Sequence, residues 1–106
     1  MIAGFAADKK AENINVLDMR KVVNFCDFFV ICTGNSTKHV SAIADEIEEQ
    51  LDKLGQVVYF RQGSTDARWL ILDLGSIVLH VFEPETREFY GLDYLWQEAK
   101  QVNWEE

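Results

Sequence analysis

Apolar residues recur at Val40, Ile43, Ala44, Ile47, Leu51 and Leu54, while Asp45, Glu48, Glu49 and Asp52 fall away from them. That spacing draws one buried stripe along an α-helix, and Gly55 is placed to end it. Upstream, a short helix over Ile2 to about Lys9 precedes a strand in "INVLDM", Ile14 to Met19, and the β-branched and aromatic run "FFVIC" reads as a buried strand. Downstream, "VVYF", "WLILDL" and "IVLHVF" predict further strands separated by turn residues. Beyond Pro84, "ETREFYGLDYLWQEAKQ" reads as a helix, or as two short ones broken at Gly91.

The order α-β-β-α-β-β-β-α predicts an α/β fold in a single domain, a mixed five-stranded sheet flanked by helices, with parallel pairing across the long central helix. Within it the last hairpin has the most definite geometry. Gly75-Ser76 suits a two-residue turn with glycine first, which sets Leu70 opposite Val81, Leu72 opposite Leu79 and Leu74 opposite Ile77. That aliphatic face is the predicted core. The same register puts Trp69 with Phe82, Ile71 with His80 and Asp73 with Val78 on the other face. Either a helix covers this second face, as happens on central strands, or it is open and offers the aromatic and polar mixture of an interface centre.

Length and charge narrow the functional classes. A chain of 106 residues holds one core, and 48% hydrophobic residues argue for a packed fold rather than disorder. A net charge of −8 repels phosphate backbones and leaves no basic stripe for sequence-specific nucleic-acid binding, so a basic protein surface is the better partner. No apolar run suits a bilayer span, and "MIAGFAADKKAENI" resembles neither a secretory signal nor a transit peptide, which points to the cytoplasm.

Candidate chemistry is thin. "TGNSTK" after "FFVIC" has one glycine and matches no phosphate-loop pattern; Asn35 or Ser36 there suits a helix N-cap. Cys26 and Cys32 form no CxxC pair, and Cys32 sits in an apolar setting that keeps a thiol neutral. His39 is the candidate base for it. "GSTDARWLILDL" echoes the Gly-Ser turn and paired carboxylates of nucleotidyltransferases, but its strand offers only Asp73, with Asp66 in the preceding loop. Asp18, Asp27 and Asp73 read as strand-end hydrogen bonders. His80 has no second His or Cys at ligand spacing, so no metal or other cofactor is expected.

Taken together, "KKAENINVLDMR", "DFFVICTGNS", "HVSAIADEIEEQL", "WLILDLGSIVLHVF" and "REFYGLDYLW" closely resemble the ribosomal silencing factor, or Iojap-like, family over nearly the whole chain. The resemblance implies one such domain over residues 1–106, with a topology related to nucleotidyltransferases but without their catalytic site. It implies a translation repressor rather than an enzyme. Such a factor binds ribosomal protein fourteen of the large subunit, blocks subunit joining and lowers translation when nutrients are scarce. The family's tryptophan falls on Trp69, and its characteristic positions fall on Asp73, Gly75, His80, Phe82, Arg87, Tyr90 and Trp96. Ser76 stands where many members have aspartate, and "VVNFC" replaces a Ser/Ala-rich stretch. The resulting expectation is a partner-binding set of Trp69, Ile71, Asp73, His80, Phe82 and Tyr90. Two other classes stay open: a vestigial or active nucleotidyltransferase, and a homodimeric scaffold formed when the chain is free.

Overall fold

The computed structural model describes residues 2–63 and 66–104. Its elements run α1 (Ile2–Asp8), β1 (Glu12–Asp18), β2 (Phe28–Thr33), α2 (Thr37–Lys53), β3 (Phe60–Gln62), β4 (Trp69–Asp73), β5 (Ile77–Phe82), α3 (Pro84–Tyr90), α4 (Leu92–Leu95) and β6 (Lys100–Val102). The sheet is mixed and six-stranded, in the order β3-β4-β5-β2-β1-β6. Among the described residues only β2 and β5 pair in parallel, and α2 lies in the crossover between them, as the sequence predicts.

The expected count of five strands is corrected by β6, which pairs antiparallel with β1 through Val16↔Val102 and Asp18↔Lys100. Three residues are too few to show alternation, and a lysine at a sheet edge suits solvent rather than a core. Lys100 and Gln101 therefore end in a strand where the pattern extended a helix. A second correction moves β3 from Val57–Phe60 to Phe60–Gln62. Phe60 pairs with Asp73, the last residue of β4, so the ladder ends there, with the Tyr59 N–H donating to the Asp73 carbonyl just before it. Val57, Tyr59 and Phe60 are all more than half exposed, because this apolar run lies at the sheet edge rather than inside.

The central helix forms as its stripe requires. Ser36 is its N-cap, with backbone in the extended region, and its Oγ accepts from the His39 N–H at 3.1 Å. At the other end the Gly55 N–H donates to the Asp52 carbonyl and the Gln56 N–H to the Leu51 carbonyl, the double closure of a Schellman turn. Val40, Ile43, Ala44, Ile47 and Leu51 are buried, but Leu54, the C-cap, is 53% exposed and leaves the predicted stripe.

Two buried clusters lie on the two faces of the sheet. On one, Leu70, Leu72, Leu79 and Val81, all inaccessible, join Val30 and Cys32 against α1 and α2. On the other, Leu17, Met19, Phe29, Ile31 and Phe82 are packed by Val22, Val23, Leu92 and Trp96. Arg87 anchors the C-terminal segment over that second face. Its Nε and Nη2 donate to the two carboxylate oxygens of Asp93, and its Nη1 donates to the Asn13 carbonyl and to Thr33 Oγ1. Burial opposes ionisation of Asp93, but the hydrogen bonds from Arg87 and Asn15 outweigh it and hold the carboxyl below its ordinary value.

Candidate functional site

The β4–β5 hairpin has the predicted register at every pair from Trp69↔Phe82 to Asp73↔Val78. Its turn closes with the Leu74 N–H donating to the Ile77 carbonyl at 2.9 Å. Gly75 has φ +87°, which a non-glycine residue resists, and Asp73 Oδ1 accepts its N–H at 2.9 Å. Asp73 is thus employed at the turn, as a strand-end hydrogen bonder.

Trp69 begins β4 and stands at the centre of an aromatic cluster. Its ring stacks on Phe82 with centroids 4.8 Å apart, and Tyr90 from the end of α3 lies against it at 4.8 Å. Phe89 meets Tyr90 edge-on at 5.1 Å and is 82% exposed. Between α3 and the start of β4, Trp69, Phe89 and Tyr90, with Arg68, Glu85 and Thr86, line a cleft of about 580 Å³. A larger open hollow of about 830 Å³ lies between α2 and residues 56–61, but charged side chains dominate its helix wall, and Arg61 there bridges Asp45 and Glu48. The aromatic cleft is the better docking candidate, because apolar burial against rigid rings is what anchors an interface.

The predicted partner-binding residues divide by depth. Trp69, His80, Phe82 and Tyr90 come together in the cluster. Phe82 is fully buried and His80 is 6% exposed, so they form its floor; Tyr90 is 52% exposed at its rim. Ile71 is half-buried opposite His80, and Asp73 lies at the other end of the strand. The second face is therefore neither fully covered nor fully open: residues 92–96 and the 19–26 loop close most of it, and Trp69 marks where cover ends. Sequence reasoning missed Phe89, Tyr94 and Leu95, all strongly exposed on the short C-terminal helices. Their signal was apolar side chains next to Gly91 at positions with no helical stripe to bury them.

His80 is held neutral by its surroundings. Burial lowers its pKa from 6.5 to about 4. Its Nδ1 accepts the Trp69 Nε1–H at 3.2 Å, which puts the ring proton on Nε2, and Nε2 is buried with no hydrogen-bond partner among the described residues. The unfolded chain takes up a proton near pH 6.5, whereas the folded imidazole resists it until about pH 4. Stability is therefore complete above 6.5 and declines as the pH falls towards 4, by about 3 kcal/mol in all. Denaturant unfolding across that window should show the loss in the parent, and a shallower slope in His80→Leu; parallel curves would exclude a His80 origin.

Cys32 and His39 do not form a catalytic pair. Cys32 is inaccessible, and burial pushes its thiol up to about 12. His39 is engaged elsewhere: Nδ1 accepts the Asn35 N–H and Nε2 lies 2.9 Å from the Lys9 carbonyl. At the turn between β2 and α2, the Gly34 N–H donates to the Phe82 carbonyl, and a Cβ there would meet the Val40 nitrogen at 2.8 Å. Glycine is needed for that close approach. Of the Gly63-Ser64 pair that echoes a nucleotidyltransferase turn, Ser64 lies outside the described residues. No helix among the described residues is long and apolar enough to cross a membrane.

A family model described as "Ribosomal silencing factor during starvation" matches residues 1–106. The chain belongs to this family. A silencing factor from Bacillus subtilis is 47% identical over 92 residues, covering 87% of this chain and 78% of the relative. A mouse protein named "Mitochondrial assembly of ribosomal large subunit protein 1" is 33% identical over 99 residues, 91% of this chain and 43% of its own length. A crystal structure from Bacillus halodurans superposes with a TM-score of 0.84 at 39% identity, over 96% of this chain and 93% of that one. The silencing-factor names describe a regulatory role, and the α/β architecture is shared with that solved structure.

Proposed function

We propose that this silencing factor represses translation by docking on ribosomal protein fourteen of the large subunit, in the cytoplasm, and filling space that the small subunit needs. The observation that carries the reading is the half-covered aromatic cluster, in which exposed Tyr90 and Phe89 flank a Trp69 already stacked on a buried floor. Rigid aromatic anchors lose little entropy on binding and serve as interface hot spots. Ile71 extends the apolar strip, and Asp73 contributes charge near the turn. The net charge of −8 steers encounter with a basic ribosomal protein, and the apolar contacts set residence time. The mouse relative's name, which places it in large-subunit assembly, supports the choice of subunit. Repression by occupancy needs no cofactor and no bond making, and it suits a factor that lowers translation under nutrient limitation.

In a sucrose gradient the protein should travel with free large subunits and be depleted from joined ribosomes. Equal occupancy of both would defeat steric exclusion. Added salt should weaken binding by screening the acidic surface, yet leave residual affinity from the aromatic contacts; complete indifference to salt would remove charge steering from the account.

A further inference from the structure

We propose that His80 is a positioning residue, which holds the Trp69 indole in its docking orientation through the Nε1–H to Nδ1 hydrogen bond and is kept in the core despite its orphaned Nε2–H. The inference deepens the docking reading above and rests on it.

The local arrangement carries the argument. A tryptophan on a partly open face has two ways to lie, ring flat on the sheet or turned out to solvent. Here one orientation is selected from three sides. Phe82 stacks beneath the ring with planes 24° apart, Tyr90 closes one side, and His80 Nδ1 accepts the indole proton at 3.2 Å. Of these only the hydrogen bond is directional; stacked rings slide and rotate on one another at little cost. His80 is fixed in turn by Phe29, edge-on at 4.7 Å, and by Phe82, whose ring plane lies 12° from parallel to it.

That acceptor comes with a penalty at the other ring nitrogen. Accepting through Nδ1 leaves the proton on Nε2, which is buried without a partner among the described residues. Filling the position with an aliphatic side chain would remove the orphaned polar atom but would also take the acceptor from the part-buried Trp69 indole N–H, so the two effects on stability oppose each other. A core position that breaks the rule of satisfied polar atoms, beside an exposed anchor, is the pattern expected where function opposes stability.

The test compares His80→Leu with the parent in three measurements. Binding to purified large ribosomal subunits should weaken about three- to tenfold, the ordinary net worth of one hydrogen bond. The melting temperature at neutral pH should stay within a few degrees of the parent, because removal of the orphaned Nε2–H offsets the acceptor lost to the indole. The Trp69 indole N–H, identified in an NMR spectrum by its disappearance in Trp69→Phe, should lose protection from exchange. Parental binding, or an unchanged indole signal, would overturn the proposal, as would a fall in melting temperature large enough to account for the lost binding. If the leucine variant fails to fold, His80→Asn and His80→Gln replace it. Asparagine sets its oxygen near Nδ1 and should bind like the parent, whereas glutamine reaches towards Nε2 and should not; equal affinities would overturn the role. Trp69→Ala, run alongside, separates the two ideas. If it binds normally, the docking face itself is wrong, whatever His80 does.

Discussion

Trp69→Ala is expected to reduce affinity for the large ribosomal subunit about thirtyfold while the protein stays folded. An interface tryptophan contributes upwards of ~2 kcal/mol, and each ~1.4 kcal/mol is a factor of ten. The geometry makes this an anchor loss rather than a core collapse. The ring is only half-buried, one side on Phe82 and the other towards the cleft shared with Phe89 and Arg68. Some stability must go with it, because Phe82 is fully buried and the missing indole uncovers it. Truncating a fully buried tryptophan costs about 3–5 kcal/mol; half that burial sets the expectation at about 1.5–2.5 kcal/mol, too little to unfold a domain of ordinary stability. Isothermal titration at low temperature, where both proteins are folded, measures the affinity change free of unfolding. An unchanged affinity there removes Trp69 from the interface and with it the docking face.

The hairpin is the part of this fold most legible in the sequence, for a physical reason. A two-residue turn fixes register, and register fixes which side chains share a face, so Gly75-Ser76 is enough to pair Trp69 with Phe82 and to separate it from Leu70 and Leu72. The helix over Thr37–Lys53 is legible because its stripe is long and its ends carry a serine cap and a glycine closure. Burial on the second face is not legible in the same way. It depends on where residues 19–26 and 92–96 dock, and those segments have no periodicity that names their target. His80 and Phe82 therefore read as surface candidates alongside Trp69, and only the tertiary packing separates floor from rim. Strand β6 escapes for a related reason: its pairing with β1 is long-range, and Lys100-Gln101-Val102 alone has no signature of it. The resemblance through "WLILDLGSIVLHVF" and "REFYGLDYLW" brings Trp69 and Tyr90 to notice, but not Phe89, which matters through its exposure beside Tyr90.

On the opposite face of the same strand, Leu72→Ala should do the reverse of Trp69→Ala. Leu72 is inaccessible, pairs with Leu79 across the hairpin and belongs to the buried cluster that also holds Ile43, Ile47 and Val81. Shortening it leaves a cavity walled by a sheet on one side and α2 on the other, and neither can move in without breaking its own hydrogen bonds. Large-to-small changes at such sites cost ~2–5 kcal/mol, and the constrained walls argue for the upper half of that range. Against a whole-domain stability of about 5–15 kcal/mol, the melting temperature should fall by roughly 10 °C or more. Binding by the folded fraction should stay within about twofold of the parent, because the side chain points away from the aromatic cleft and additivity holds for separated sites. The decisive comparison is both variants side by side, melting temperature against large-subunit affinity. If Leu72→Ala melts like the parent while Trp69→Ala collapses, the faces of the hairpin are inverted, and the surface that meets the ribosome must be sought on the side now occupied by α2.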